Sequence, residues 1–141
     1  MRFISFNLSQ DSQRFFDLLK NLRPQLTIES FKDLYTKAHK EGGYEIIGLE
    51  KDNELVGLMG FRIITDFVHG RHLYIDDLIT SEFHRSGGLG AQMLDHAEVL
   101  AKENHCSNLR LCTGIENERG KNFYEKNGWN LRAVAFKKKI P

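Results

Sequence analysis

Two hydrophobic periods alternate along the chain. Apolar residues recur at helical spacing in SQDSQRFFDLLKNL, where Phe15, Leu18, Leu19 and Leu22 share one face. FISF, just before it, is a short strand candidate, and Pro24 stops the helix or begins a loop. TIESFKDLYTKAHKEGG predicts a second helix, with Thr27 as N-cap, Ser30 as the competing choice, and Gly42-Gly43 after its end. The pattern then changes. In YEIIGLEKDNELVGLMGFRIITDF two apolar-rich runs flank the polar turn KDNE, which predicts a β-hairpin. RHLYIDDLIT is the next strand. A helix runs from Gly87 to about Asn104 with Leu89, Met93, Ala97 and Leu100 on one face. NLRLCTG predicts a short strand, ENERGKNFYEKNG a short helix ending near Gly128, and WNLRAVAFKKKI a last strand. The order β-α-α-β-β-β-α-β-α-β implies an α/β fold, a mixed sheet with helices packed on it.

Composition narrows the class. The 141 residues suffice for one domain with one core, expected over 1–141, and no linker, repeat or low-complexity segment breaks them. A hydrophobic content of 40% beside 28% charged residues is ordinary for a globular protein. No apolar run approaches membrane-spanning length, and MRFISFNLSQ has no long apolar stretch of a secretory signal, so neither a membrane nor export is expected. A formal charge of +1 argues against a nucleic-acid partner. Cys106 and Cys112 read as free thiols of a reducing cytoplasm, with a single disulfide as the alternative. The six histidines show no metal spacing, and no metal is expected.

HRSGGLGAQML raises the first chemical question. Three glycines in four positions follow a strand and open a helix. Unpaired N–H groups at a helix start point outward and the helix dipole favours negative charge, so this context makes an anion site, with Arg85 as an added donor. The plainer alternative is a glycine-rich turn beside a surface arginine. A nucleoside-triphosphate loop is excluded because Gly90 is followed by Ala91-Gln92, and a dinucleotide fingerprint because Met93 stands where its third glycine belongs.

LITSEFHRSGGLG resembles the acyl-CoA pyrophosphate loop of the GNAT superfamily of N-acetyltransferases, through Leu78, Arg85, Gly88 and Gly90. It departs from the family pattern at Thr80, Glu82, His84 and Ser86. Downstream, NERGKNFYEKNGW resembles the second family signature through Asn117, Phe123, Tyr124, Glu125, Lys126, Gly128 and the aromatic Trp129, with Gly120 in place of a small alanine. The resemblance implies the family's acyl-CoA N-acyltransferase fold, a mixed, mostly antiparallel central sheet flanked by helices. It implies acetyl-CoA as co-substrate, with the pyrophosphate held by Arg85 to Gly90. Cofactor contacts then fall on Leu78, Ile79, Thr80, Arg85, Ser86, Gly87, Gly88, Leu89, Gly90 and Ala91, and on Asn117, Phe123, Tyr124 and Lys126.

Acetyl transfer to an amine needs a neutral amine, a polarised thioester carbonyl and a protonated or stabilised leaving thiolate. By resemblance, Tyr124 is the general acid; its alternative is a ring packed beside Phe123. By resemblance too, backbone N–H groups near Leu78 to Thr80 polarise the carbonyl. Adjacent carboxylates in an apolar strand are unusual, because buried charge needs pairing. Strict alternation puts Asp76 and Asp77 on opposite faces, with Tyr74, Asp76, Leu78 and Thr80 together. Asp76, where small-amine members of the family carry an acid, then takes the amine's proton, directly or through water, or binds a cationic acceptor; a salt-bridged structural role is the alternative for either aspartate. Asn117 is equally a helix N-cap and Lys126 equally a solvated cation.

These readings converge on an N-acetyltransferase moving an acetyl group from acetyl-CoA to a primary amine of a small molecule, by direct attack in a ternary complex. A protein or peptide N-acetyltransferase and a non-catalytic acyl-CoA sensor are the rivals. Dimers are frequent in the family, so monomer and homodimer both stand.

Overall fold

The computed structural model describes the backbone of all 141 residues and the side chains of all but Arg85 and Ser86. The chain divides into two compact units, Met1–Arg110 and Leu111–Pro141. Strands β1 (Arg2–Ser5), β2 (Glu45–Lys51), β3 (Glu54–Asp66), β4 (Gly70–Thr80) and β5 (Asn108–Leu111) lie in that order in a single sheet. The β1–β2, β2–β3 and β3–β4 pairs are antiparallel. Helices α1 (Leu8–Leu19) and α2 (Ile28–Gly42) come between β1 and β2, α3 (Leu89–Glu103) between β4 and β5, and α4 (Glu118–Lys126) after β5.

Local chemistry accounts for these boundaries. Asn7 caps α1 by accepting from the N–H groups of Ser9 and Gln10. Thr27 caps α2 and Ser30 closes a reciprocal capping box with it, so both candidate residues take part. Gly43, at φ +70°, ends α2 in the left-handed region, and the N–H of Tyr44 returns to the carbonyl of Ala38. Asp52 and Asn53, at φ +52° and +65°, form the two-residue turn between β2 and β3; two positive φ values give the twist an antiparallel hairpin needs.

The helices of the first unit cover both faces of its sheet. Phe15, Phe16, Leu18 and Leu19 of α1 pack with Phe31 of α2 and with Ile46 and Leu58 of the sheet. On the other face α3 contributes Leu89, Met93, Leu94, Ala97 and Ala101, all buried. A Cβ at Gly48 would lie 2.6 Å from the Phe15 ring, and one at Gly57 2.8 Å from Met93 Sδ. Those two glycines let α1 and α3 approach the middle of the sheet from opposite sides.

Glu50 is buried on β2 and binds two arginines: Arg14 Nη1 at 2.5 Å and Arg2 Nε at 2.8 Å. The hydrogen bond from Arg14 first, and that from Arg2 second, hold its carboxyl below the usual range. A depressed carboxylate pKa contributes stability that is present above the unfolded value, roughly 4.3, and is lost as pH falls through the lower folded value. Melting temperatures of wild type and Glu50→Gln should therefore differ most at neutral pH and converge in acid. A gap that persists unchanged to pH 3 would refute the linkage.

The second unit carries α4, capped by Asn117, whose Oδ1 accepts from the N–H of Gly120 at 3.0 Å. No helix among the described residues is long and apolar enough to cross a membrane. Both cysteines are free.

The expected last strand is not formed. Residues 129–141 have no regular secondary structure, and Leu131, Val134, Phe136 and Ile140 are exposed. Alternation specifies a face, but a strand also needs a ladder partner, and nothing local supplies one. α4 intervenes between this segment and β5, so no hairpin turn brings it to a sheet edge.

Candidate functional site

The acidic pair departs most from the expected geometry. Along the β3–β4 ladder Phe61 opposes Ile75 and Gly60 opposes Asp77, so Asp76 is an extra, unpaired residue. This is a β-bulge, and it breaks the alternation. Ile79, opposite Leu58, packs on the α1–α2 core, and Thr80 opposes Gly57, which faces α3. The face toward α1 and α2 therefore carries Tyr74, Asp76, Asp77 and Ile79. The expected separation of the two aspartates is overturned, and so is the grouping of Asp76 with Leu78 and Thr80.

Both carboxylates line one cleft of about 520 Å³ between α1, α2 and the β3–β4 sheet. Asp76 is held by Arg62, whose Nε reaches both carboxylate oxygens (3.1 and 2.9 Å) and whose Nη2 reaches Oδ1 at 2.8 Å. Asp77 accepts from Arg23 Nε at 2.9 Å and from the Tyr44 hydroxyl at 2.7 Å. Arg23 also donates to the carbonyl of Asp76 at 3.1 Å. Burial pushes the Tyr44 phenol far up, and the Asp77 charge adds to it, so Tyr44 remains a donor. Hydrogen bonding to Asp76 raises the Arg62 guanidinium further. The guanidinium carbons of Arg62 and Arg110 stand 5.3 and 4.5 Å from the Tyr74 ring centroid.

Sequence reasoning missed Arg23, Arg62 and Tyr44. Arg62 had a signal, a lone cation inside the apolar run MGFRII, where burial demands a counter-charge. Arg23, beside Pro24 in a turn, had none.

The far end of β4 leads to the glycine stretch. Ser81 N–H donates to the Val56 carbonyl at 2.8 Å, which fixes the ladder phase. Ile79 therefore spends its N–H on β3, while Leu78 and Thr80 turn theirs outward. β5 is four residues long against eleven in β4, and its start lies at Arg71, where Ser107 N–H donates to the carbonyl at 2.9 Å. The Leu78 and Thr80 amides thus lie on an edge that β5 does not reach.

A 3-10 turn, Glu82–Gly87, follows, and Gly88 at φ +71° joins it to α3. That left-handed backbone requires glycine whatever the ligand. No side chain caps α3, and its first turn contains no acid. A Cβ on Gly88 would meet nothing within 4 Å. An uncapped helix start beside an open glycine backbone fits a pyrophosphate. Leu89 is 3% exposed, so its side chain belongs to the core. Gly90 and Ala91 occupy the first turn of α3. The side chains of Arg85 and Ser86, both expected cofactor contacts, lie outside the described residues.

In the second unit, Asn117 spends its side chain on capping, with Nδ2 donating to Thr113 Oγ1 at 2.8 Å. Lys126 sits in the last turn of α4, a favourable place for a cation at a helix C-terminus. Tyr124 packs edge-on to Phe123, with centroids 5.2 Å apart, and is tilted against Trp129 at 6.0 Å. Burial raises its pKa, so it holds its proton throughout the neutral range.

A sheet covered by helices on both faces, with a bulged inner strand leading to an uncapped helix start, is the architecture of an acyl-CoA-dependent acyltransferase. The acetyltransferase (GNAT) family model matches residues 9–129, and the chain belongs to that family. An uncharacterised N-acetyltransferase of Bacillus subtilis (strain 168) is 25% identical over 126 residues, 89% of each chain. The fold is shared with the ribosomal-protein-alanine N-acetyltransferase of Brucella melitensis biovar Abortus 2308, with a TM-score of 0.81, 21% identity and 99% of each chain covered. It is shared also with an aminoglycoside 6'-N-acetyltransferase of Acinetobacter baumannii, with a TM-score of 0.78, 17% identity and 99% of each chain covered.

Proposed function

We propose that this acyltransferase moves the acetyl group of acetyl-CoA to the primary amine of a small molecule bound in the cleft of Asp76 and Asp77. The observation that carries the reading is the bulge, which turns both carboxylates into a cleft large enough for a small acceptor. The family match crosses the boundary at Arg110, which supports a single catalytic domain.

Acetyl-CoA supplies an activated acyl group. The outward amides of Leu78 and Thr80 suit its carbonyl oxygen, because fixed backbone donors need no reorganisation as negative charge develops. The amides at the start of α3 suit the pyrophosphate. Asp76 orients the amine or receives its proton through water, since both its oxygens already accept from Arg62. Tyr124 donates a proton to the departing thiolate. A sensor without chemistry needs neither a protonated, half-buried phenol nor a carboxylate-lined acceptor cleft.

Free-thiol release from acetyl-CoA against a panel of small amines and N-terminal peptides tests the activity. Turnover with peptides alone would favour the protein-directed alternative. The loop is tested separately. Gly87 has an ordinary φ, and a Cβ there would meet nothing nearer than Leu89 Cγ at 3.9 Å. Gly87→Val should leave the melting temperature within a few degrees and weaken acetyl-CoA binding by about 10-fold or more, the worth of one charge-assisted contact. Unchanged affinity by calorimetry would move the pyrophosphate elsewhere.

A further inference from the structure

The two aspartates of the cleft are not free for a polycation. Each aspartate already has a guanidinium partner: Arg62 for Asp76 and Arg23 for Asp77. The remaining acid of the lining, Glu41, is exposed, where water and salt screen it. The donors, by contrast, are not used up. A guanidinium has five N–H donors. Arg62 commits Nε and Nη2, and Arg23 commits Nε and Nη2, so neither Nη1 has a hydrogen-bond partner among the described residues. Both side chains keep an accessible face, 36% for Arg62 and 40% for Arg23. The guanidiniums are fixed in place by consecutive residues of one bulge. Beside them the wall is apolar, made by Leu26, Phe31, Leu34 and Tyr35.

Resting on the acceptor role of this cleft, we propose that it selects an amine that also carries an anionic group, with Arg23 and Arg62 as the anion-binding pair. A carboxylate is the anion that suits it, since a sugar phosphate would set hydroxyls against the apolar wall. The acceptor class is thus an α-amino acid, or a similar carboxylated amine, with an apolar side chain. The carboxylate takes the two free Nη1 groups, the side chain covers Leu26 and Leu34, and the amine is left to the Asp76 end. Pre-fixed guanidiniums lose little freedom on binding, which favours specificity by charge.

The test uses matched acceptors in the thiol-release assay: leucine against 3-methylbutylamine, and phenylalanine against 2-phenylethylamine, with spermidine and glucosamine 6-phosphate as further arms. The amino acid of each pair should have the higher kcat/KM by about 10-fold or more, the worth of a hydrogen bond between charged groups. Arg23→Gln and Arg62→Lys should raise KM for the amino acids more than for the decarboxylated partners, so that the preference within each pair narrows by about 10-fold, whatever either variant does to kcat for both members alike. Arg62→Lys keeps the charge beside Asp76, and melting temperature checks that both variants fold. Equal or better use of the amines lacking the carboxylate overturns the proposal, as does a preference for spermidine; a preference for the phosphate arm overturns the carboxylate assignment. If no amine turns over, the acetyl-transfer reading fails on its own, and calorimetry with N-acetylleucine against N-(3-methylbutyl)acetamide decides the rest. Arginine-dependent binding of the acid supports the pair, and equal or absent binding of the two removes it.

Discussion

Replacing Tyr124 by phenylalanine should lower kcat by about 10²–10⁴, the usual worth of a general acid, with acetyl-CoA affinity unchanged. The substitution removes one oxygen and keeps the ring against Phe123 and Trp129, so the melting temperature should hardly move. A thiol of pKa roughly 8.5 is already a fair leaving group, which places the loss toward the lower end. The pH profile gives a second reading. Burial raises the Tyr124 phenol, so the protonated acid persists beyond the ordinary phenol value of roughly 10, and the wild-type rate should not fall in the mildly alkaline range through loss of this proton. Steady-state kinetics with chemistry shown to be rate-limiting make the test. A near-wild-type kcat would return Tyr124 to packing and leave the thiolate to water.

Gly60→Ala should be the most damaging small substitution in the sheet. A Cβ there would stand 1.9 Å from the Tyr44 hydroxyl oxygen and 2.5 Å from its ring carbon Cζ. The phenol crosses the strand at this one gap to reach Asp77. The methyl must expel it, which costs about 1–3 kcal/mol in overpacking and forfeits a hydrogen bond to a charged group worth about 1.5–3 kcal/mol. Denaturant unfolding should show a loss of about 3 kcal/mol or more from these two sources. The same change in a Tyr44→Leu background should cost clearly less, since the two residues share one contact. Additive losses would show that Gly60 is needed for some other reason.

Much of this was legible in the sequence, for reasons specific to each element. The α2 cap, the Asp52-Asn53 turn and the stop at Gly43 are written in short-range chemistry, and each forms as the residues require. α3 was legible through Leu89, Met93 and Ala97, whose spacing records a buried face. The acidic pair was visible as an anomaly, but its geometry was not. A bulge inserts one residue without a compositional mark, and period-two reasoning fails silently at that point. The last strand failed for the converse reason: Leu131, Ala133 and the residues that follow carry the alternation, but pairing is non-local and the pattern names no partner. The partners of Asp76 and Asp77 come from positions 62, 23 and 44, distances along the chain at which pattern reading has no reach.

The bulge has one further consequence. The strand is paired on either side of Asp76, Phe61 with Ile75 and Gly60 with Asp77, and the register steps by one residue between those pairs. The extra residue is thus a local insertion, and antiparallel pairing continues on both sides of it. A lineage could gain or lose it by one codon without rebuilding the ladder or displacing the Leu78 and Thr80 amides. On the proposed assignment, the lining of the cleft can therefore change by a single residue while the backbone amides further along β4 keep their place.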